Sequence, residues 1–425
     1  MKKEVSVFWF RRDLRLEDNC ALLHALNSEF PVLPIFIFDT EILSELPKND
    51  ARVQFIHKML AGINAELQKS NASLYILNAN VADAWELVFK EFEVKKVFYN
   101  RDYEPYATKR DAKISAFCKG KGAHVFNFKD QVIFEKNEIT KTDGLPYLVY
   151  TPYKKRWLLE YNNSSIQQFP SVKLSNKFLK EAFHFPALKE IGFDKNKIQV
   201  LPINSKCINN YVLYRDNPSV ETSNISVHLR FGTVSVRSLM AYAIKTEATF
   251  TSELIWREFF IQILYHFPKV VNENFKAKYN YIQWRNNEAE FELWCQGKTG
   301  YPIVDAGMRQ LNETGYMHNR VRMIVASFLN KHLLIDWRWG EAYFAEKLLD
   351  FELSANNGNW QWVAGTGCDS APYFRVFNPT TQQKKFDPDF KYIEKWNPNY
   401  KSIPEIVEHK FARERYLTVL KKALL

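Results

Sequence analysis

Cysteine is scarce in this chain and is arranged for nothing covalent. The 425 residues hold five, Cys20, Cys118, Cys207, Cys295 and Cys368, an odd number with no CxxC pair. That excludes a disulfide scaffold and a thiolate zinc site, and reads as free thiols in a reducing cytoplasm. The nine histidines show no HExxH or similar spacing, so no metal is expected. Long hydrophobic runs are missing too, since none approaches the ~20 residues that span a bilayer. The opening MKKEVSVFWFRRD is broken by Arg11 and Arg12 too early for a signal peptide. A soluble cytoplasmic protein with no membrane partner is the expectation.

Aromatic residues are abundant instead: Trp 11, Tyr 21 and Phe 33, together 15% of the chain. They furnish either a large aromatic core or stacking surfaces for a planar ligand. Lys+Arg exceed Asp+Glu by 58 to 48. The excess is a mild field that favours phosphate-rich partners such as nucleic acid. The length implies two or three domains.

The chain changes grammar along its length. VSVFWF (5–10), PVLPIFIFD (31–39), SLYILNA (73–79), KKVFYN (95–100) and AHVFNF (123–128) read as buried strands separated by amphipathic helices. That order predicts an α/β fold, a doubly wound parallel sheet over residues 1–130. Strand one runs into FRRDLRLEDN without GxGxxG, so no glycine loop admits a pyrophosphate there. Any nucleotide cofactor is expected elsewhere. Residues 131–205, rich in Asn, Lys and Ser, read as a long interdomain connector. From 206 to 425 the periodicity is helical, through ELIWREFFIQILYHF, VDAGMRQLNETG and HNRVRMIVASFLNKHLLIDW. Thr251 or Ser252 is expected to cap the first of these, and Pro268 to stop it.

Candidate chemistry concentrates in the helical part. Glu253, Trp256, Arg257 and Phe260 fall at i, i+3, i+4 and i+7, on one helix face. That face is either a binding surface or an exposed Glu–Arg pair beside a half-buried Trp. Asn319 and Met323 share another face. Thr222, Ser223 and Ser226 cluster hydroxyls before Gly232, which suits a phosphate or a capping box. Trp284, Trp337, Trp360 and Trp362, in three helical segments, are core residues or a file that conducts electrons. The run DFELSANNGNWQWVAGTG (350–367) sets acids and asparagines among tryptophans, where each amide needs a hydrogen-bond partner. It is a polar knot or the wall of a site.

FWFRRDLRLEDNCAL, YVLYRDNP, TSNISVHLRFGTVS, ELIWREFF, GKTGYPIVDAGMRQLNETGYMHNRVRMIVASFL, LLIDWRWGEAYF and ANNGNWQWVAGTGCDSAPYFRVFNPTTQ run in order from residue 8 to 382. Together they resemble the photolyase/cryptochrome family, most closely its bacterial class I cyclobutane-pyrimidine-dimer members. The resemblance implies an N-terminal antenna-type α/β domain, a linker, and a C-terminal helical domain holding FAD. It implies light-driven repair, in which excited FADH⁻ donates an electron to a dimer flipped out of DNA. Tyr211, Thr222, Ser223, Asn224, Ile225 and Ser226 would meet the FAD phosphates and neighbouring groups. Phe250, Phe351, Asp350 and Glu352 would line the flavin or ribose, with Arg322 pairing Asp350 and Asn356 facing flavin N5. Glu253, Trp256, Asn319, Arg320, Met323 and Trp362 match the dimer pocket, and Arg215, Arg257 and Gln382 match DNA contacts. Trp360, Trp337 and Trp284, in that order outward, match the chain that photoreduces oxidised flavin.

Three positions depart from the family pattern: Asn224 replaces a frequent Arg, Phe250 a frequent Trp, and Glu352 the usual Asp. The antenna chromophore, folate or deazaflavin, stays open, because Pro105 and Tyr106 depart from folate-binding members. The implied partner is ultraviolet-damaged DNA, bound by a monomer. A cryptochrome-type light receptor is the alternative. It is disfavoured by Asn356, by the intact dimer pocket, and by a chain that ends at Leu425 soon after the helical domain. A six–four photolyase would place two histidines where Asn319 and Met323 stand.

Overall fold

The computed structural model describes residues 1–171 and 176–424. Residues 172–175 of the expected connector, and Leu425, lie outside the described residues. Five parallel strands form in the expected places: β1 (Glu4–Phe10), β2 (Val32–Asp39), β3 (Tyr75–Ala79), β4 (Glu93–Asn100) and β5 (His124–Phe128). Their order is β3-β2-β1-β4-β5. Val7 faces Leu33 of β2 and Val97 of β4 across the sheet. The order reverses beside β1. With right-handed crossovers, helices Cys20–Leu26 and Ala51–Gln68 therefore cover one face, and Val81–Glu91 and Pro105–Gly120 the other. β1 and β2 are buried along nearly their whole length, which is why they read as unbroken apolar runs.

The turn after β1 carries arginines where a dinucleotide fold carries glycines. Arg11 Nη1 reaches both carboxylate oxygens of Asp111, at 2.5 and 2.6 Å, and Arg12 pairs with Glu104 at 3.0 Å. Asn19 then caps the first helix by accepting from Leu22 N.

The chain forms two compact units that interleave in sequence. The first is Met1–Glu135, Leu159–Leu201 and Ile225–Tyr242; the second is Lys136–Leu158, Pro202–Asn224 and Ala243–Leu425. This differs from three successive stretches. The segment 225–242 joins the first unit through Arg237, which pairs with Asp18 at 3.1 Å and with Asp130 at 2.8 Å. Arg15 holds the same Asp130 at 2.6 Å. Breaking such a buried pair costs roughly 3–5 kcal/mol, so the segment is firmly tied. The connector is also less plain than its composition suggests, because it contains the helix Tyr150–Asn163.

The second unit is largely helical. Its main core packs Trp294, Phe328, Trp337, Phe344 and Trp360 against helices Pro302–Thr314, Asn319–Ser327, Trp337–Lys347 and Leu353–Ala364. Two details correct the sequence reading. The helix carrying Glu253 runs Ala248–His266 and is capped by Glu247, not by Thr251 or Ser252. Those two hydroxyls lie inside the helix and donate back to Glu247 O and Ala248 O. The stretch after Asn319 is also not one helix, since a π turn over Phe328–His332 interrupts it.

Candidate active site

Helix Leu353–Ala364 carries the amide-rich run, and its asparagines divide the work. Asn357 Nδ2 donates to Val270 O at 3.0 Å, while Gln361 Nε2 donates to Val270 O and to Asn357 Oδ1. These two form a buried knot that pins residues 270–275, and Phe275 N closes it by donating to Gln361 Oε1. Asn359 is exposed and bonds within its own helix. Only Asn356 is left for a wall. It is buried, and its Nδ2 donates to both Glu341 O and Glu341 Oε1 at 3.0 Å. That commits the NH2 group and leaves the amide oxygen for the opposite side. The run is thus partly knot and partly wall.

The acids flanking that helix are each held by an arginine. Arg322 Nη2 reaches Asp350 at 2.9 Å. Arg257 Nη2 reaches Glu352 at 3.1 Å, with the two side chains 13% and 7% exposed. So enclosed an arginine is poorly placed to reach a phosphate in solution. Arg257 organises Glu352, and the longer side chain at 352 makes the reach. Nearby, the buried Ser354 hydroxyl has no partner among the described residues.

Glu253 lies on the neighbouring helix Ala248–His266. Gly358 lets the two helices approach closely, because a Cβ there would stand 2.5 Å from Phe260 Cε1. Arg215 Nη1 pairs with Glu253 at 2.9 Å, and the Tyr211 hydroxyl also donates to its carboxylate. Burial nevertheless pushes the Glu253 carboxyl above its usual range, against the opposing pull of Arg215, Tyr211 and Lys154. Trp256, on the same face, stacks on Tyr150 with centroids 3.6 Å apart and planes 8° off parallel. Tyr150 is fixed in turn by its hydroxyl, which donates to Ser252 O at 2.7 Å.

Arg320 reaches Asp216 at 2.6 Å, beside Arg215, and its Nη1 lies 3.6 Å from Met323 Sδ. The Arg320 end of helix Asn319–Ser327 thereby joins the Arg215–Glu253 pair. Asn319 is exposed, and Trp362 is half-buried against the main core. Gln382 is half-buried in helix Pro379–Phe386, its backbone N–H on Asn378 O. His318, next to Asn319 in sequence, is committed to its own helix. It caps its helix by accepting from Arg320 N, and burial with two adjacent arginines lowers its pKa to about 4.

In the hydroxyl-rich run, Asn224 adopts a left-handed backbone (φ 55), which asparagine tolerates where arginine is strained. Its side chain is spent internally, donating to Pro202 O and accepting from Thr222 Oγ1. Ser223 is half-buried; Ile225 and Ser226 begin the helix Ile225–Arg230 and fall in the first unit. Phe250 is buried edge-on to Tyr211 at 5.3 Å, and Phe351 packs half-buried on the main core.

The tryptophans share one neighbourhood. Trp360 lies against Gly340, in the helix that starts at Trp337, and edge-on to Trp294 at 6.2 Å. Arg285 N donates to Leu334 O at 2.8 Å, and Asp336 N donates to Asn286 Oδ1 at 2.9 Å. These bonds bring the stretch that follows Trp284 beside the start of the Trp337 helix. Trp284 itself stands in an irregular stretch and not in a helix, because the next helix begins only after the Asn287 cap.

Residues 250–421 match the FAD binding domain of DNA photolyase, and residues 6–173 match DNA photolyase. A deoxyribodipyrimidine photo-lyase of Halobacterium salinarum is 37% identical, over 95% of this chain and 91% of that protein. The chain belongs to the DNA photolyase family. A class III photolyase from Agrobacterium tumefaciens superposes with a TM-score of 0.88 at 31% identity, covering 100% of this chain and 98% of that one. An archaeal photolyase from Sulfolobus tokodaii, a structure with two FAD molecules, superposes with a TM-score of 0.85 at 33% identity, over 99% and 100%.

FAD is the cofactor of this photolyase fold, and the donor set suits it. A neutral amide aimed away from Glu341, a partnerless buried Ser354 hydroxyl and two arginine-held acids offer polar contacts to a flavin and ribose. None sets a bare carboxylate against a flavin anion. Three members of the surroundings escaped sequence reasoning. Glu341 stood in view as an acid inside the aromatic run WRWGEAYF. Tyr150 and Asn274, whose partners lie 106 and 63 residues away, gave no local signal.

Proposed function

We propose that this photolyase splits cyclobutane pyrimidine dimers in DNA under blue or near-ultraviolet light, as a monomer in the cytoplasm. The observation that carries the reading is the buried Asn356 amide, oriented by Glu341, on a helix packed against the one that bears Glu253 and Trp256. Asn356, Asp350, Phe351, Glu352, Arg322, Phe250, Tyr211, Thr222, Ser223 and Asn224 would hold FAD. When bound and reduced, FAD supplies the photoexcited electron donor.

This chain's residues do the rest. Tyr150 backs Trp256, so that one indole face is supported while the other receives an extruded base, worth ~1–3 kcal/mol per stacked base. Glu253, held by Arg215 and Tyr211 and with its carboxyl pKa raised by burial, hydrogen-bonds the bases of the dimer and stabilises added charge there. Asn356 offers its amide oxygen to the flavin without adding negative charge. Arg320 and Met323, with Asn319 and Trp362, complete the pocket, while Arg215 and Gln382 meet the DNA backbone. A dimer stacks poorly, so extruding it costs at most about a few kcal/mol, and selectivity comes partly from the lesion. We assign an antenna-type role to the unit that carries the sheet, and FAD and DNA binding to the largely helical unit.

The test is binding. The purified chain is expected to retain FAD and to hold an oligonucleotide with one thymine dimer more tightly than its undamaged twin. Flavin-free protein, or equal affinity for both strands, would contradict the reading.

A further inference from the structure

Trp337 is fully buried, and its Nε1–H donates to Asn274 Oδ1 at 2.8 Å. Asn274 is buried as well, and its orientation is fixed from behind. Its backbone N–H and its Nδ2 both donate to Asn280 Oδ1, at 3.2 and 2.9 Å. The amide therefore presents oxygen, and not NH2, to the indole.

The chemistry of oxidised indole gives that choice a consequence. An indole that has lost one electron is a far stronger N–H acid than indole itself. Against a carboxylate or an imidazole it surrenders the proton and stays behind as a neutral radical. An amide oxygen accepts the hydrogen bond but is too weak a base to take the proton. The nearby charges make the restraint more necessary. The Arg338 guanidinium stands 4.8 Å over the Trp337 ring and favours loss of positive charge from it. Asp336, the nearest acid on this helix, is engaged by Arg338 at 2.9 Å and by Arg338 N, away from the indole N–H.

We propose that Asn274 is a positioning residue that keeps the proton on Trp337 while an electron vacancy passes through it. The proposal rests on Trp360, Trp337 and Trp284 being the photoreduction path. Trp360, having given one electron to a photoexcited oxidised flavin, takes one electron from Trp337. Trp337 becomes a radical cation, keeps its proton on Nε1 in the hydrogen bond to Asn274 Oδ1, and is refilled by one electron from Trp284. No proton moves at the middle position. With a carboxylate at 274, the Nε1 proton crosses to it as Trp337 is oxidised. The vacancy then stays on a neutral radical too weakly oxidising to draw on Trp284.

Transient absorption on the flavin-loaded protein separates the two radical forms by their spectra. The unmodified protein is expected to show only the cation at Trp337, followed by oxidation of Trp284. Asn274→Asp is expected to show the neutral radical at Trp337 and to lose most of the Trp284 signal. It is measured at a pH where the infrared band of a protonated carboxyl at this site is absent. Asn274→Leu removes the acceptor, so the Trp337 indole proton resonance of the dark protein moves upfield. Cation character and Trp284 oxidation persisting in Asn274→Asp as in the unmodified protein would overturn the proposal. So would a Trp337 indole resonance unmoved in Asn274→Leu. Trp337→Phe serves as the control for the path itself. If Trp284 is still oxidised at its normal rate in that variant, the path fails, whatever Asn274 does.

Discussion

Gly340 offers the sharpest handle on the tryptophan file. A Cβ at this position would stand 2.5 Å from Trp360 Cζ3 and 2.6 Å from Leu329 Cδ2. Ordinary contact begins near 3.4 Å, so Gly340→Ala forces the indole or the helix to move by 0.9 Å or more. Neither yields easily. Trp360 is gripped by Phe344 at 5.0 Å and by Trp294 at 6.2 Å, and Gly340 lies inside helix Trp337–Lys347. Overpacking of this kind costs about 1–3 kcal/mol, and alanine returns up to about 1 kcal/mol of helix propensity. With the full return the balance is a loss of up to about 2 kcal/mol, or a few degrees in Tm. Because the displaced group is the tryptophan proposed to stand nearest the flavin in the file, photoreduction of oxidised FAD should slow by more than the loss of folded protein explains. Thermal melting and flavin bleaching under blue light, recorded on one sample, test this. Normal Tm together with normal photoreduction would refute the packing of Trp360 on Gly340.

Other outcomes are expected at the pocket. Arg257→Ala strands the buried Glu352 carboxylate, at a cost of about 3–5 kcal/mol, and should lower Tm and flavin content together; normal flavin content with weaker, less salt-dependent DNA binding would return Arg257 to the DNA surface. Tyr150→Ala should weaken binding of dimer-containing DNA more than of undamaged DNA, with Tyr150→Phe restoring the preference; equal losses on both would separate Tyr150 from the pocket. Glu253→Ala should reduce repair yield more than DNA affinity. Since burial raises the Glu253 pKa, its ionised form costs stability as pH climbs past that raised value. Glu253→Gln should therefore gain Tm relative to the parent toward neutral pH and lose the advantage in acid; a Tm difference that does not vary with pH would contradict the burial.

The sheet was readable because parallel strands buried on both faces have to be apolar throughout, as β1 and β2 are. The absence of glycines after β1 likewise argues against a dinucleotide turn, whereas the arginine pairs that fill that turn are visible only in the structure. Helix boundaries were harder to read. Thr251 and Ser252 look like caps, but Glu247 takes that role and the hydroxyls turn back into the helix. The interleaving of the two units could not be read locally, because Arg237 meets acids 219 and 107 residues away. The same holds at the site. Helical spacing put Arg257 beside Glu253, but nothing in the spacing revealed that its partner would be Glu352. The amide-rich run announced its own importance, yet only hydrogen bonds to residues 270–275 and 341 divide Asn357 and Gln361, which hold the fold, from Asn356.

The most direct test of the whole account is repair itself. The protein, its flavin reduced, is mixed with an oligonucleotide carrying one thymine cyclobutane dimer, and restored thymines are counted after blue light and after darkness. The account predicts restoration in the light alone. A flavin-bearing protein that binds the dimer and never splits it under illumination would contradict it and turn the same pocket into that of a light receptor.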